Sequence, residues 1–143
     1  MQDTLSLYRL AEERGIDVDF RPLKRAQSLS LPMEWAPGRC AVALDPDKVT
    51  SAADENVKLC HELGHCVTGS FYNRYAALDL RRRHELHADR WAIAHLIPRQ
   101  ELDVALAHGV RELWELADYF EVTEEFMKKA LVHYGLLDEE LEM

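Results

Sequence analysis

The run His61-Glu62-Leu63-Gly64-His65 constrains this chain more than any other feature. On an α-helix, residues four apart share a face and lie about 6 Å apart along the axis. Two imidazoles so placed can each offer a nitrogen to one metal ion, at the roughly 2.0–2.1 Å that zinc prefers. Glu62, one residue after the first histidine, can lean over the same ion and take a proton from water. Such a five-residue pattern fixes only three positions and occurs by chance, so its weight depends on the residues downstream of it. Gly64 adds to it. A glycine inside a helix costs about 1 kcal/mol relative to alanine, which points to close approach by another backbone or by a substrate.

A catalytic zinc site usually has three protein ligands and one open position. After His65 the candidates for the third are Asp79, His84, Glu85, His87, Asp89 and His95. The residues between His65 and Glu85 suffice to finish one helix, turn, and return antiparallel. The segment from His84 to Ile97 contains no Gly or Pro and stops at Pro98. Leu86, Ala88, Trp91, Ala92, Ile93 and Ile97 give it an apolar side as a helix. Glu85 and Asp89 then stand one turn apart. Glu85 can ligate while Asp89 accepts the spare N–H of a ligating histidine and fixes its tautomer. His84 and His87 are alternative ligands, or part of a charged rim continuing Arg81-Arg82-Arg83.

Taken in order, His61–His65 followed by Cys66-Val67-Thr68-Gly69-Ser70-Phe71-Tyr72, then Glu85-Leu86-His87-Ala88-Asp89-Arg90-Trp91-Ala92 and Leu96-Ile97-Pro98, resemble the ImmA/IrrE family of zinc metallopeptidases, in particular its short phage and mobile-element members. The similarity spans roughly residues 1–135. It implies a zincin-like fold, with His61, His65 and Glu85 on Zn2+ and Glu62 as general base. It further implies a protein substrate, in many such cases a DNA-binding helix-turn-helix repressor encoded beside the peptidase. Tyr72 and His84 are the candidates for donating to the oxyanion of the tetrahedral intermediate. The rival reading is a regulator of the same fold that keeps its zinc and binds a repressor without cutting it.

The rest of the chain fits a water-exposed protein of this size. With 143 residues, 48% hydrophobic and 30% charged, it can bury a substantial core. It has no apolar run near the roughly 18 residues that span a bilayer. Its first residues, Met1-Gln2-Asp3-Thr4, lack the basic and apolar regions of a signal peptide. A cytoplasmic location and no membrane partner are expected. Three cysteines, an odd number without a CxxC pair, argue against a disulfide framework. Cys60 and Cys66 point about 100° from the neighbouring histidines on the helical wheel, so they read, like Cys40, as small buried hydrophobes.

The net charge of −9 is concentrated at one end. Beyond residue 110 only Arg111, Lys128 and Lys129 stand against ten acidic residues. Two parts are therefore expected: a metallopeptidase domain over residues 1–110, and acidic C-terminal helices over 111–143 packed into the same unit. In the latter, Ala117, Val122, Met127 and Leu131 fall at helix-turn-helix core spacings. The second helix, however, opens on Glu124-Glu125, which would repel phosphates, so no direct nucleic-acid binding is expected.

Local signals complete an α+β expectation, mostly helical with a small three-stranded antiparallel sheet. Thr4–Arg14 predicts a helix stopped by Gly15. Ile16–Phe20, Ser28–Met33 and Cys40–Leu44 read as strands, punctuated by Pro22, Pro32, Pro37-Gly38 and Asp45-Pro46-Asp47. Ala41–Leu44 is the expected sheet edge for pairing with an extended substrate. The long metal helix is expected from a Thr50 or Ser51 cap to about Thr68, closed by Gly69. Helices over 112–120 and 124–133 complete the chain.

Overall fold

Ser51 opens the long helix α2 (Ala52–Thr68): its side chain accepts the Asp54 N–H, and Asp54 and Glu55 place negative charge in the first turn. Lys58, one turn on, holds the Asp54 carboxylate at 2.6 Å. At the other end Gly69 adopts φ 68°, the left-handed conformation glycine takes without strain, and its N–H closes on the His65 carbonyl. The helix thus has the two ends expected of it. In this computed structural model, residues 3–33, 39–71 and 76–137 are described. The Pro37-Gly38 turn, Tyr72 and the remainder of the loop through Tyr75 lie outside them.

Around α2 the chain orders itself as α1 (Thr4–Glu13), β1 (Asp17–Phe20), β2 (Ser28–Pro32) and β3 (Cys40–Leu44) before it, then α3 (Leu78–Leu96), α4 (Arg99–Ala107), α5 (Leu113–Phe120) and α6 (Glu124–His133). Helix α3 begins at Leu78, six residues before the expected start at His84, because Arg81-Arg82-Arg83 contains no breaker and continues the helix. Helix α4 is an additional element beyond those expected. Its signal is present in Pro98 at the N-cap and in Leu102 and Ala105, which are buried.

The three strands form one sheet in the order β1-β3-β2. β2 pairs antiparallel with β3, Ser28 opposite Leu44, but β1 pairs parallel with β3, Asp17 opposite Ala41. The expected antiparallel sheet is thus a mixed one. The link between β1 and β2 crosses the C-terminal end of β3, which places β2 on the far side of β3 from β1. Asp45 holds that crossing, accepting from Leu23 N at 2.9 Å and Asp47 N at 3.0 Å, while Lys48 Nζ donates to the carbonyls of Leu23 and Ala26. A second expectation falls with the first. Ala41–Leu44 is the central strand and is bonded on both sides, so it has no free edge to offer a substrate. The edge facing α2 belongs to β2.

The cysteine reading also needs correction. Cys40 and Cys66 form a disulfide that ties the start of β3 to the last turn of α2, leaving Cys60 as a buried thiol. Parity excluded nothing, since one cysteine of three simply stays unpaired. The half-cystines are 26 residues apart, and closing a loop of that length stabilises by about 3.5 kcal/mol in the chain-entropy account.

A single cluster of buried apolar side chains extends from Leu7 of α1 through Leu44, Leu63 and Leu96 to Phe120 and Met127. Asn56, fully buried on α2, ties the outer elements in: it accepts from Thr4 Oγ1 at 2.6 Å and donates to the Glu121 carbonyl at 2.9 Å. Ala117, Val122 and Met127 are buried, as the helix-turn-helix spacing predicts, and Leu131 packs against them. Among the described residues no helix is long and apolar enough to cross a membrane.

At Gly64 the backbone of α3 comes close to α2. A Cβ there would lie 2.7 Å from the Ala88 carbonyl oxygen and 3.1 Å from its Cα. The approaching group is backbone and cannot rotate away. Gly64→Ala is therefore expected to lower the melting temperature, since overpacking costs about 1–3 kcal/mol and outweighs alanine's helix advantage of about 1 kcal/mol. Ala88 stands between Glu85 and Asp89 in the chain, so the same substitution should weaken metal binding. Calorimetry with and without zinc checks both, and an unchanged midpoint would show that α3 steps aside freely.

Candidate metal centre

Helix α2 projects His61 and His65 from one face, and α3, running alongside, brings Glu85 to meet them. One ligand atom from each of the three lies within 4.8 Å of the other two. The Glu85 carboxylate oxygen Oε2 is 2.6 Å from His61 Nε2 and 3.2 Å from His65 Nε2. The two imidazoles sit nearly perpendicular, at 86°, with ring centres 4.9 Å apart. Glycine at position 64 is what lets α3 come close enough for this convergence.

The outward nitrogens of both rings are committed elsewhere. His61 Nδ1 is 2.8 Å from Asp89 Oδ1, and His65 Nδ1 donates to the Ser70 carbonyl. With Nδ1 donating outward, each Nε2 faces Glu85, and a cation taking the place of the Nε2 proton would find the lone pair that a metal-ligating histidine offers. Asp89, one turn beyond Glu85 on α3, is also approached by Lys129 Nζ from α6, at 3.6 Å. Two nitrogens and a carboxylate oxygen, with both spare N–H groups held, suit a zinc ion with one position left open.

Charge is arranged accordingly. Burial pulls the pKa of His61 down, but its hydrogen bonds to Asp89 and Glu85 and the nearby Glu62 charge prevail and raise it to about 10. His65 moves in the same direction against burial, through Glu85 and the Ser70 carbonyl. The surroundings thus favour a positive charge at this point, and a cation bound between the rings would satisfy the demand a proton otherwise meets.

Glu62 is buried, 6% exposed, and its Oε2 accepts from Ser28 Oγ at 2.8 Å. It opens into a cleft of about 250 Å³ lined by Ser28, Leu29 and Ser30 of β2, by Glu62 and His65 of α2, by Ser70 and Phe71, and by Glu85. The Glu62 carboxylate, two of the three converging candidate ligands (His65 and Glu85) and a strand edge therefore share one concave surface. Water held there could lose a proton to Glu62 while an extended peptide lies along β2.

Of the residues singled out in the sequence, His61, Glu62, His65, Glu85 and Asp89 come together. His84 does not join them: it is half-buried, its ring meets His87 edge-on at 6.4 Å, and it is not among the described residues lining the cleft. Tyr72 lies outside the described residues. The remaining ligand candidates are placed elsewhere. Asp79 bonds the Leu80 N–H, His87 stands 3.3 Å from Ser70 Oγ, and His95 stacks on Trp91. Sequence reasoning missed Ser28, Ser70 and Lys129. Ser70 was the accessible one, since the left-handed Gly69 turns the chain back towards the helix it ends. Nothing in the sequence alone ties Ser28 to Glu62.

Compared with known protein families, residues 11–132 match a peptidase family described as the IrrE N-terminal-like domain. No curated protein matches the chain.

Proposed function

The chain belongs to the IrrE N-terminal-like family of peptidases, and from that premise we propose that it is a zinc-dependent endopeptidase cutting a protein substrate at a defined site. One observation carries this reading: His61, His65 and Glu85 converge, and His65 and Glu85 line, together with Glu62, a cleft walled by an edge strand. A helix-turn-helix repressor of a phage or mobile element is the substrate class we assign, on the likeness to the short members of the family. The cytoplasm, where such a repressor works, is the assigned location, and in its reducing conditions Cys40 and Cys66 would stand as a thiol pair.

His61, His65 and Glu85 would hold the zinc. When bound, zinc lowers the pKa of a neighbouring water toward about 7 and offsets charge on the substrate carbonyl oxygen. The chain's own groups do the rest. Asp89 and the Ser70 carbonyl keep both imidazoles in the ligating tautomer. The free edge of β2 pairs with the substrate backbone and sets the scissile bond across the cleft. Glu62, held by Ser28, takes the proton from the attacking water and delivers it to the leaving amine.

The acidic C-terminal helices take no part in DNA binding on this reading. Helix α6 opens with Glu124 and Glu125 in its first turn, where a recognition helix needs basic or amide groups. Their place in the common core suits a structural or protein-binding role.

Incubation of the zinc-loaded protein with the repressor encoded nearest its gene tests the proposal. Intact-mass spectrometry should show two fragments whose masses sum to the substrate plus one water. Stable co-elution of uncut repressor would instead establish a regulator that binds and does not cleave.

A further inference from the structure

Along one face of α3 runs a second hollow of about 360 Å³, lined by Leu78, Arg81, Arg82, Glu85, Leu86 and Asp89. Glu85 borders both this hollow and the metal cleft, so a chain crossing the metal passes directly from one to the other. Leu78 and Leu86 are 54% and 45% exposed, an unusual amount of apolar surface for one helix face.

Arg81 and Arg82 make no side-chain hydrogen bond or ion pair among the described residues, and the Arg81 Nε is buried without a partner. The two acids beside them are engaged elsewhere. Glu85 faces the histidines, and Asp89 is held by His61 and Lys129. The protein itself closes off Arg81 Nε, so the terminal N–H groups of the two arginines are the donors offered to a ligand in the hollow, and a carboxylate, which a guanidinium grips with parallel bonds, suits them best. Arg81 is half-buried and Arg82 exposed along this hollow. In a chain of net charge −9, two uncommitted cations at the rim of the cleft are not explained by neutralising the protein itself.

We propose that this hollow is a substrate subsite selecting an acidic side chain, gripped by Arg81 and Arg82, with apolar neighbours of that residue resting on Leu78 and Leu86. The inference deepens the peptidase reading and rests on it for the substrate being a peptide. It narrows the class to segments that carry Glu or Asp within a few residues of the scissile bond, flanked by apolar side chains. The subsite acts by positioning: binding there draws the chain over the metal ligands and along β2.

The test uses the full-length, zinc-loaded Glu62→Gln protein, so that binding is read without cleavage. Two fluorescein-labelled pools of degenerate peptides are titrated by anisotropy at low salt. One is rich in Glu and Leu, and the other carries Gln at every Glu position. The Glu pool should bind about tenfold tighter, the difference between a charge-assisted hydrogen bond and a neutral one. Arg81→Gln/Arg82→Gln should erase that preference with zinc content and melting temperature unchanged. Equal binding of the pools, no binding of either, or a preference that survives the double substitution overturns the subsite. Failure of the peptidase reading shows separately: an acidic preference alongside an uncut repressor keeps the subsite and removes the cleavage.

Discussion

Glu62→Gln is expected to leave the fold and the zinc in place while slowing cleavage of the cognate protein by about 10²–10⁴-fold, the usual contribution of a general base. Glutamine is nearly isosteric with glutamate, and its side-chain oxygen can still accept the Ser28 hydroxyl that Glu62 Oε2 accepts at 2.8 Å. His61, His65 and Glu85 are untouched. The amide, however, cannot take a proton from water near neutral pH. Mass spectrometry of the incubated partner should show fragments with the native protein and intact chain with the variant. Equal action of the two on the partner would mean that sequestration, and not hydrolysis, is the activity. Silence towards a generic substrate such as casein carries no weight here, because a narrow substrate range is what the family likeness implies.

The site was legible where its chemistry is written on single helices. The 3.6-residue period puts His61 and His65 on one face, and Glu85 and Asp89 on another, before any tertiary packing is considered. The caps of α2 are likewise local, set by Ser51 and by the left-handed Gly69. What stayed hidden depends on contacts distant in sequence. The parallel pairing of β1 with β3 comes from how the 21–27 link crosses the end of β3, which Asp45 and Lys48 decide from beyond that strand. The Cys40–Cys66 bridge joins two elements whose proximity no spacing reveals. Ser28 meets Glu62 across 34 residues. Alternation along Ser28-Leu29-Ser30-Leu31 shows a polar side to the strand, but not that this side faces the base. Gly64 is intermediate: its presence signalled a close approach, and the structure supplies the Ala88 backbone as what approaches.

Metal content should fall in a graded pattern that the geometry dictates. Removal of His61, His65 or Glu85 by alanine substitution leaves two ligands where three converge, and affinity should drop by orders of magnitude. Glu85→Ala is the informative member, because it removes the oxygen that stands 2.6 Å and 3.2 Å from the two Nε2 atoms. Asp89→Asn leaves all three ligands but replaces the carboxylate that fixes His61 with an amide, and changes of that kind typically cost about 10–100-fold in metal affinity. Asp79→Ala and His84→Ala should retain the metal, since neither residue belongs to the converging group. Purified proteins would be compared by elemental analysis for stoichiometry, with one zinc per native chain expected, and by competition with a chromophoric chelator for affinity. Full occupancy with Glu85 removed, together with loss on removing Asp79 or His84, would transfer the third ligand to another part of α3. The centre built from these two helices would then have to be redrawn.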